Sequence, residues 1–218
     1  MMQVHRVRSV ATTRALMAAL LPLMAACSGM LKSNAPDEQV YVLHAAVISA
    51  TTTPVNGMLV IPQPEVQPAL NTPRIALTQP GNRIDYFASS RWAAALSQEL
   101  GAVAVESLVA SKTFAVVAGM DPGAGSGDFQ LLLTVRHFEA EYSGDPKGIA
   151  PVARVAIECL LTGDVPRRVL GRCDAQAQEP ARENRMSEIV AALNVATEHV
   201  LAEIAGKAVT LAAAVPRK

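Results

Sequence analysis

Aromatic residues are scarce in this chain: one Trp, three Tyr and four Phe among 218 residues. Ala and Val are abundant instead, so the core is expected to be built from small side chains. Histidine is scarce too. His5, His44, His137 and His199 are not spaced with Cys, Asp or Glu as a metal-ligand set, so no metal site is expected. There is no Gly-x-Ser-x-Gly elbow, and this absence removes the usual hydrolase signature. Gly123-Ala124-Gly125-Ser126-Gly127 has the glycines of a phosphate loop, but Asp128 stands where Walker A needs Lys-Ser/Thr. These glycines read as turn chemistry between strands, and no nucleotide or other cofactor is expected. The formal net charge is zero, which leaves no electrostatic case for nucleic acid. No internal repeat is found.

What is present at the front is a targeting signal. Arg6, Arg8 and Arg14 stand among the first fourteen residues without an acid, and the apolar run Ala15–Leu23 follows. Ala25 and Ala26 then precede Cys27. A basic n-region, a short apolar h-region and small residues before the cut define a secretory signal over 1–26. The run is too short to span a bilayer, which takes roughly 20 apolar residues, and no second run of spanning length follows. Cleavage before Cys27 leaves 16 bases against all 19 acids.

Along the chain, residues 27–38 are polar and turn-rich and read as a tether. Strands are expected at 39–45, 58–61, 74–77, 83–86, 113–118 and 129–138. A hairpin is expected from 151–162 and 168–177 around Gly163–Arg167. Prolines at 62, 64, 68 and 73 make the second connection extended and irregular. One helix is expected over 91–111, with Ser89-Ser90 as its N-cap. A second is expected over 182–212, with Met186, Ile189, Val190, Leu193, Val200, Leu201, Ile204 and Leu211 on one stripe. A single domain over 39–215 is therefore expected. Its class is α+β, a single mostly antiparallel sheet with two amphipathic helices packed on one face.

Two patterns resemble known ones. Leu-Met-Ala-Ala-Cys at 23–27 resembles the lipobox of bacterial lipoproteins. That implies a diacylglycerol on the Cys27 thiol and a further acyl chain such as palmitate on its new amine. Ser28 behind it implies sorting to the inner leaflet of the outer membrane, facing the periplasm. Residues 84–117, a strand ending in Tyr86, then Arg91-Trp92, an amphipathic helix and Phe114 opening a strand, resemble the ABC-type transport auxiliary lipoprotein family. The paraquat-inducible protein C lipoproteins belong to it. The resemblance extends to Tyr41-x-Leu43, the central strand, the hairpin and the closing helix. It implies a non-enzymatic accessory subunit of a lipid transport system, partnered by an ABC transporter and a mammalian-cell-entry (MCE) domain protein, and self-assembly in some members. It carries over no catalytic residues. The rival readings are a periplasmic scaffold or activator in envelope assembly without lipid traffic, and a hydrolase.

Four residues besides Cys27 are singled out. Trp92 lies on the apolar stripe, which favours core packing, while Trp and Arg are enriched in binding hot spots. Arg91 and Trp92 are thus candidate partner contacts, Arg91 the better of the two. Cys159 and Cys173 share an apolar face about equally far from the hairpin turn. They form a candidate disulfide in a compartment that permits oxidation; two buried thiols are the alternative.

Overall fold

In the computed structural model of the chain, residues 37–48, 54–119, 127–146, 148–164 and 167–215 are described. The signal, Cys27, most of the tether and Gly123–Ser126 lie outside them. Glu38–Lys218 form one compact unit. Ten strands make one sheet: β1 (Gln39–Tyr41), β2 (Val55–Ile61), β3 (Glu65–Val66), β4 (Arg74–Gln79), β5 (Arg83–Trp92), β6 (Phe114–Gly119), β7 (Phe129–Glu141), β8 (Val152–Asp164), β9 (Arg167–Arg172) and β10 (Ala175–Pro180). The helices are α1 (Leu96–Ser111) and α2 (Met186–Ala213).

β7 is the spine. One of its edges carries β8 antiparallel along nearly the whole length. The other is shared in turn by β2, β3 and β4, all parallel. β6 extends the sheet beyond β2, and β5 then β1 extend it beyond β4. The class is α+β, as expected, but the sheet is mixed. Its long pairings are antiparallel, whereas β1–β5 and the pairings of β2, β3, β4 and β6 across the middle are parallel. The helices and the long proline-rich connection make this possible, because parallel neighbours need a crossover rather than a tight turn.

The pleat sets the core. Leu131, Leu133 and Val135 on β7 and Ala153, Val155, Ile157, Cys159 and Leu161 on β8 are buried on alternate positions. The register then shifts between Val135 and His137, so Arg136 is an extra residue. After it Phe138 and Ala140 resume the buried phase. This bulge keeps one face apolar on both sides of a kink. α2 packs on β8 and β10 and α1 on β6. Among the described residues α2 is the one helix long and apolar enough to cross a bilayer. Here its stripe, Ile189, Val190, Leu193, Val200, Leu201 and Ile204, is buried against the sheet.

The start of α1 corrects the sequence expectation. Ser89 and Ser90 are not its N-cap; they belong to β5, which runs on to Trp92. Pairing with both β1 and β4 holds this stretch extended, and a wide bulge opposite Arg74–Ala76 absorbs the extra residues, with Ser89 at φ 53°. The Ala93 N–H is still donated to the Tyr41 carbonyl at 2.8 Å, so the helix begins only at Leu96, behind Ala95. β1 is also shorter than expected. From Val42 the chain leaves the sheet and crosses the helix layer as a strap. Leu43 and Ala46 are buried beneath it. Helix side chains hold its backbone: the His44 N–H reaches Asn194 Oδ1 on α2 at 2.9 Å, and the Ala46 N–H reaches Ser107 Oγ on α1 at 2.8 Å.

Candidate functional site

The chain enters the compact unit at Glu38, and Arg91 receives it there. Val40 lies beside Arg91 in the β1–β5 register. Arg91 Nε donates to Glu38 Oε2 at 2.7 Å, and its Nη1 donates to the Trp92 carbonyl at 3.1 Å. The guanidinium thus ties the end of the tether to β5. The ion pair is open to water on both sides, so its own contribution is small, about 0–1 kcal/mol. Arg91→Ala is expected to lower stability by about 1 kcal/mol or less, while protease cuts more readily between Glu38 and Ile48. Limited proteolysis read by mass spectrometry checks this.

Trp92 does not share the surface with Arg91. Only 1% of it is exposed, and it packs edge-on against Phe138 with ring centroids 5.9 Å apart. The reading of Trp92 as a partner contact is corrected: the β5 pleat turns it inward, and Arg91 alone of the pair reaches solvent. Tyr86, the other distinctive residue of the segment, is also structural. The Arg74 guanidinium lies 3.8 Å from its ring centroid, and its hydroxyl donates to the Ala69 carbonyl. Sequence reasoning missed Glu38 as the partner of Arg91, because a single exposed acid carries no pattern. It also missed the strap. One signal was available: Ser107 sits on the apolar stripe of α1, and a buried hydroxyl there needs partners.

Cys159 and Cys173 are brought directly opposite each other where β8 meets the end of β9, with Cα atoms 4.7 Å apart and the sulfurs bonded. Both are buried. Asp174 breaks the strand just beyond. Its carboxylate accepts the Cys159 N–H at 2.8 Å and the Arg172 Nε–H at 2.9 Å. The bridge closes a loop of about 15 residues, worth ~3 kcal/mol by chain entropy. Replacing both cysteines with alanine is expected to cost about 2–4 kcal/mol, read as a lower denaturation midpoint. The unreduced wild-type protein is expected to take up no thiol reagent after unfolding.

The sheet face away from the helices carries ion pairs. Arg136 and Arg172 both reach Glu158, at 2.8 and 3.5 Å, and Arg154 reaches Glu141 at 3.6 Å. The Arg136 hydrogen bond holds the Glu158 carboxyl below the usual carboxylate range, and Arg172 does the same for Asp174. Two shallow grooves, about 300 and 440 Å³, lie on this face. His137 lines the larger, its Nδ1 2.7 Å from the buried Glu139. His44 and His199 are exposed. Among the described residues no group of three or more His, Cys, Asp or Glu is placed to hold a metal. Asp128 Oδ2 accepts the Met58 N–H at 2.7 Å, and Gly127 has a φ of 64°. A Cβ on Gly127 would come within 2.7 Å of Val60 Cγ2, so this glycine serves a close turn.

Fold and site define a two-layer α+β domain whose distinctive residues hold structure and whose N-terminal entry is clamped. The family model of the ABC-type transport auxiliary lipoprotein component matches residues 41–205, and the chain belongs to that family. Among solved structures it is similar to protein XCC0632 from Xanthomonas campestris, of the DUF330 family. The two share 21% identity over 79% of this chain and 95% of that one, with a TM-score of 0.71. An uncharacterized protein is similar at 19% identity over 79% and 97%, with a TM-score of 0.59. Both likenesses concern the fold. No curated protein matches significantly.

Proposed function

We propose that this protein is an acyl-anchored accessory subunit of a lipid transport system, held at the inner leaflet of the outer membrane. It acts by docking on an MCE-domain protein that works with an ABC transporter. One observation carries the reading: the family match begins at Tyr41, fourteen residues behind a lipobox cysteine. Acyl chains on Cys27 hold the chain in the bilayer, since each buried CH₂ adds about 0.8 kcal/mol. From Cys27 to Glu38 the backbone can span at most ~40 Å. The domain therefore works close to the membrane, and Arg91 fixes the point where the tether meets it. The two open grooves are shallow, and each has charged residues in its lining, Glu158 and Arg172 in the smaller and Arg136, Glu141 and Arg154 in the larger, which suits a docking subunit better than a carrier that encloses a lipid. Homo-oligomerisation belongs to the same reading; nucleic acid and cofactors have no part in it.

Crosslinking and mass spectrometry on intact envelopes test this. A link between this domain and an MCE-domain protein is the expected result. Its absence, under conditions where known envelope pairs link, overturns the proposal. Links to a cell-wall synthase instead establish the scaffold reading.

A further inference from the structure

The strap, residues 42–48, is held by another kind of contact than the strands. Among the described residues it pairs with no strand. Its N–H groups go to helix side chains instead: Leu43 to Glu99 Oε2 at 3.4 Å, His44 to Asn194 Oδ1 at 2.9 Å and Ala46 to Ser107 Oγ at 2.8 Å. Ser107 and Asn194 work alike. Each donates to its own helix four residues back, Ser107 to the Val103 carbonyl at 2.6 Å and Asn194 to the Val190 carbonyl at 3.0 Å, and turns an oxygen to the strap. Such an oxygen accepts from water as well as from a strap N–H, so parting them changes little in net hydrogen bonding. Leu43 and Ala46 are the buried side chains of the strap, while Val42, His44 and Val47 face solvent, Val47 with 81% exposed. α1 sits on β6 and α2 on β8 and β10 through their own contacts, so neither depends on the strap for its seat.

We propose that the strap is a releasable length of tether: residues 39–48 let go of the sheet edge and the helix layer while the rest of the domain stays folded. Stability is uneven within a fold, and the segments that open first have few buried apolar contacts. Leu43 is the one large buried side chain of the strap, with Ile48 half-buried, against the full stripe of α2. What must part besides it is the three-residue β1 and the water-exposed Glu38–Arg91 pair. Opening stops at Val55. Its N–H is donated to the Thr113 carbonyl at 2.8 Å, and its strand is paired on both sides, with β6 and with β7. From Cys27 to Val55 the backbone spans at most ~100 Å, against ~40 Å to Glu38. Closed, the strap keeps the domain near the bilayer; open, it more than doubles the reach toward a partner held further out. The opening belongs to the domain alone, and its use as reach rests on the anchored reading.

Hydrogen exchange on the purified full chain reads the opening. The Leu43, His44 and Ala46 amides are expected to exchange at least about a hundredfold faster than the paired amides of β7 and β8. Ser107→Ala, which removes the acceptor of the Ala46 N–H, is expected to quicken strap exchange about tenfold more and to leave β7 and β8 unchanged. Strap amides that exchange together with β7 and β8, at the rate of global unfolding, overturn the proposal. Reach is read in vesicles of phosphatidylethanolamine and phosphatidylglycerol, from energy transfer between a dye on Val169→Cys, a position 63% exposed, and acceptor lipids. Ala46→Cys with Ser107→Cys, oxidised, staples the strap to α1 where N–H and hydroxyl oxygen now meet; Cys159 and Cys173 are already bonded to each other. The staple is expected to raise the transfer, and equal transfer with and without it overturns the use of the strap as reach. Should Cys27→Ser remain on vesicles while its strap amides still exchange fast, the anchor fails and the opening stands.

Discussion

Replacing Cys27 with serine is expected to move the protein from the membrane fraction to the soluble periplasm. The reason is arithmetic. On the proposed anchored reading the apolar run Ala15–Leu23 is too short to span and is cut away, and α2 turns its apolar stripe to the sheet. Two or three acyl chains are then the remaining hold on the bilayer, and one chain alone gives only marginal, reversible binding. With the thiol gone, neither the diacylglycerol nor the amine-linked chain is added. Metabolic labelling with palmitate is expected to fall to background in the same variant. A serine variant that pellets as the wild type does and takes up equal label would end the anchored reading.

Trp92→Ala is expected to lower stability by about 3–5 kcal/mol, the range for deleting a buried large aromatic. In a domain of this size that lowers the melting temperature by roughly 6–20 °C. The effect is large because the indole is 1% exposed and packs edge-on against Phe138 of the central strand, so truncation leaves a cavity between β5 and β7. Trp92→Phe keeps most of the apolar area and is expected to cost distinctly less. As the single tryptophan, Trp92 also reports directly: its emission is expected to be blue-shifted in the folded protein and to shift red on melting. A variant that melts like the wild type would show that the ring is not packed as described. At temperatures where the alanine variant is still folded, partner crosslinking is expected to persist.

The elements with a clean repeat were legible in the sequence. The β8 alternation is a period-2 pattern that burial follows, and the α2 stripe is a period-3.6 pattern that burial follows except at its ends, where Met186 and Leu211 are half-buried. The place where α1 begins was not legible. Ser89-Ser90 is a good local cap, but two neighbouring strands compete for the same backbone and win, and such pairing lies far away in sequence. Ser107, Asn194 and Glu38 were invisible as a set for the same reason, since each acts only through a partner that the fold delivers. The mixed direction of the sheet was hidden because a short strand such as β3, Glu65–Val66, carries too few residues to show which neighbour it will take. Among the singled-out residues, the turn brought the cysteines near each other, but the register shift that leaves Leu170 as an extra residue on β9 is what sets Cys173 opposite Cys159, and no pattern announces it. The helical stripe favoured the core for Trp92, which is buried, but on a strand rather than a helix.

The strap has a consequence for the order of assembly. On the proposed reading the chain is exported from its N-terminus and delivers residues 42–48 long before α2, yet the His44 N–H is satisfied by Asn194, 150 positions later. Residues 42–48 are therefore among the last of the domain to settle. If the chain is acylated as proposed, molecules lacking the C-terminal helix would keep Leu43 and Ala46 uncovered, and so carry a visible mark of incompleteness for proteases close to the anchor.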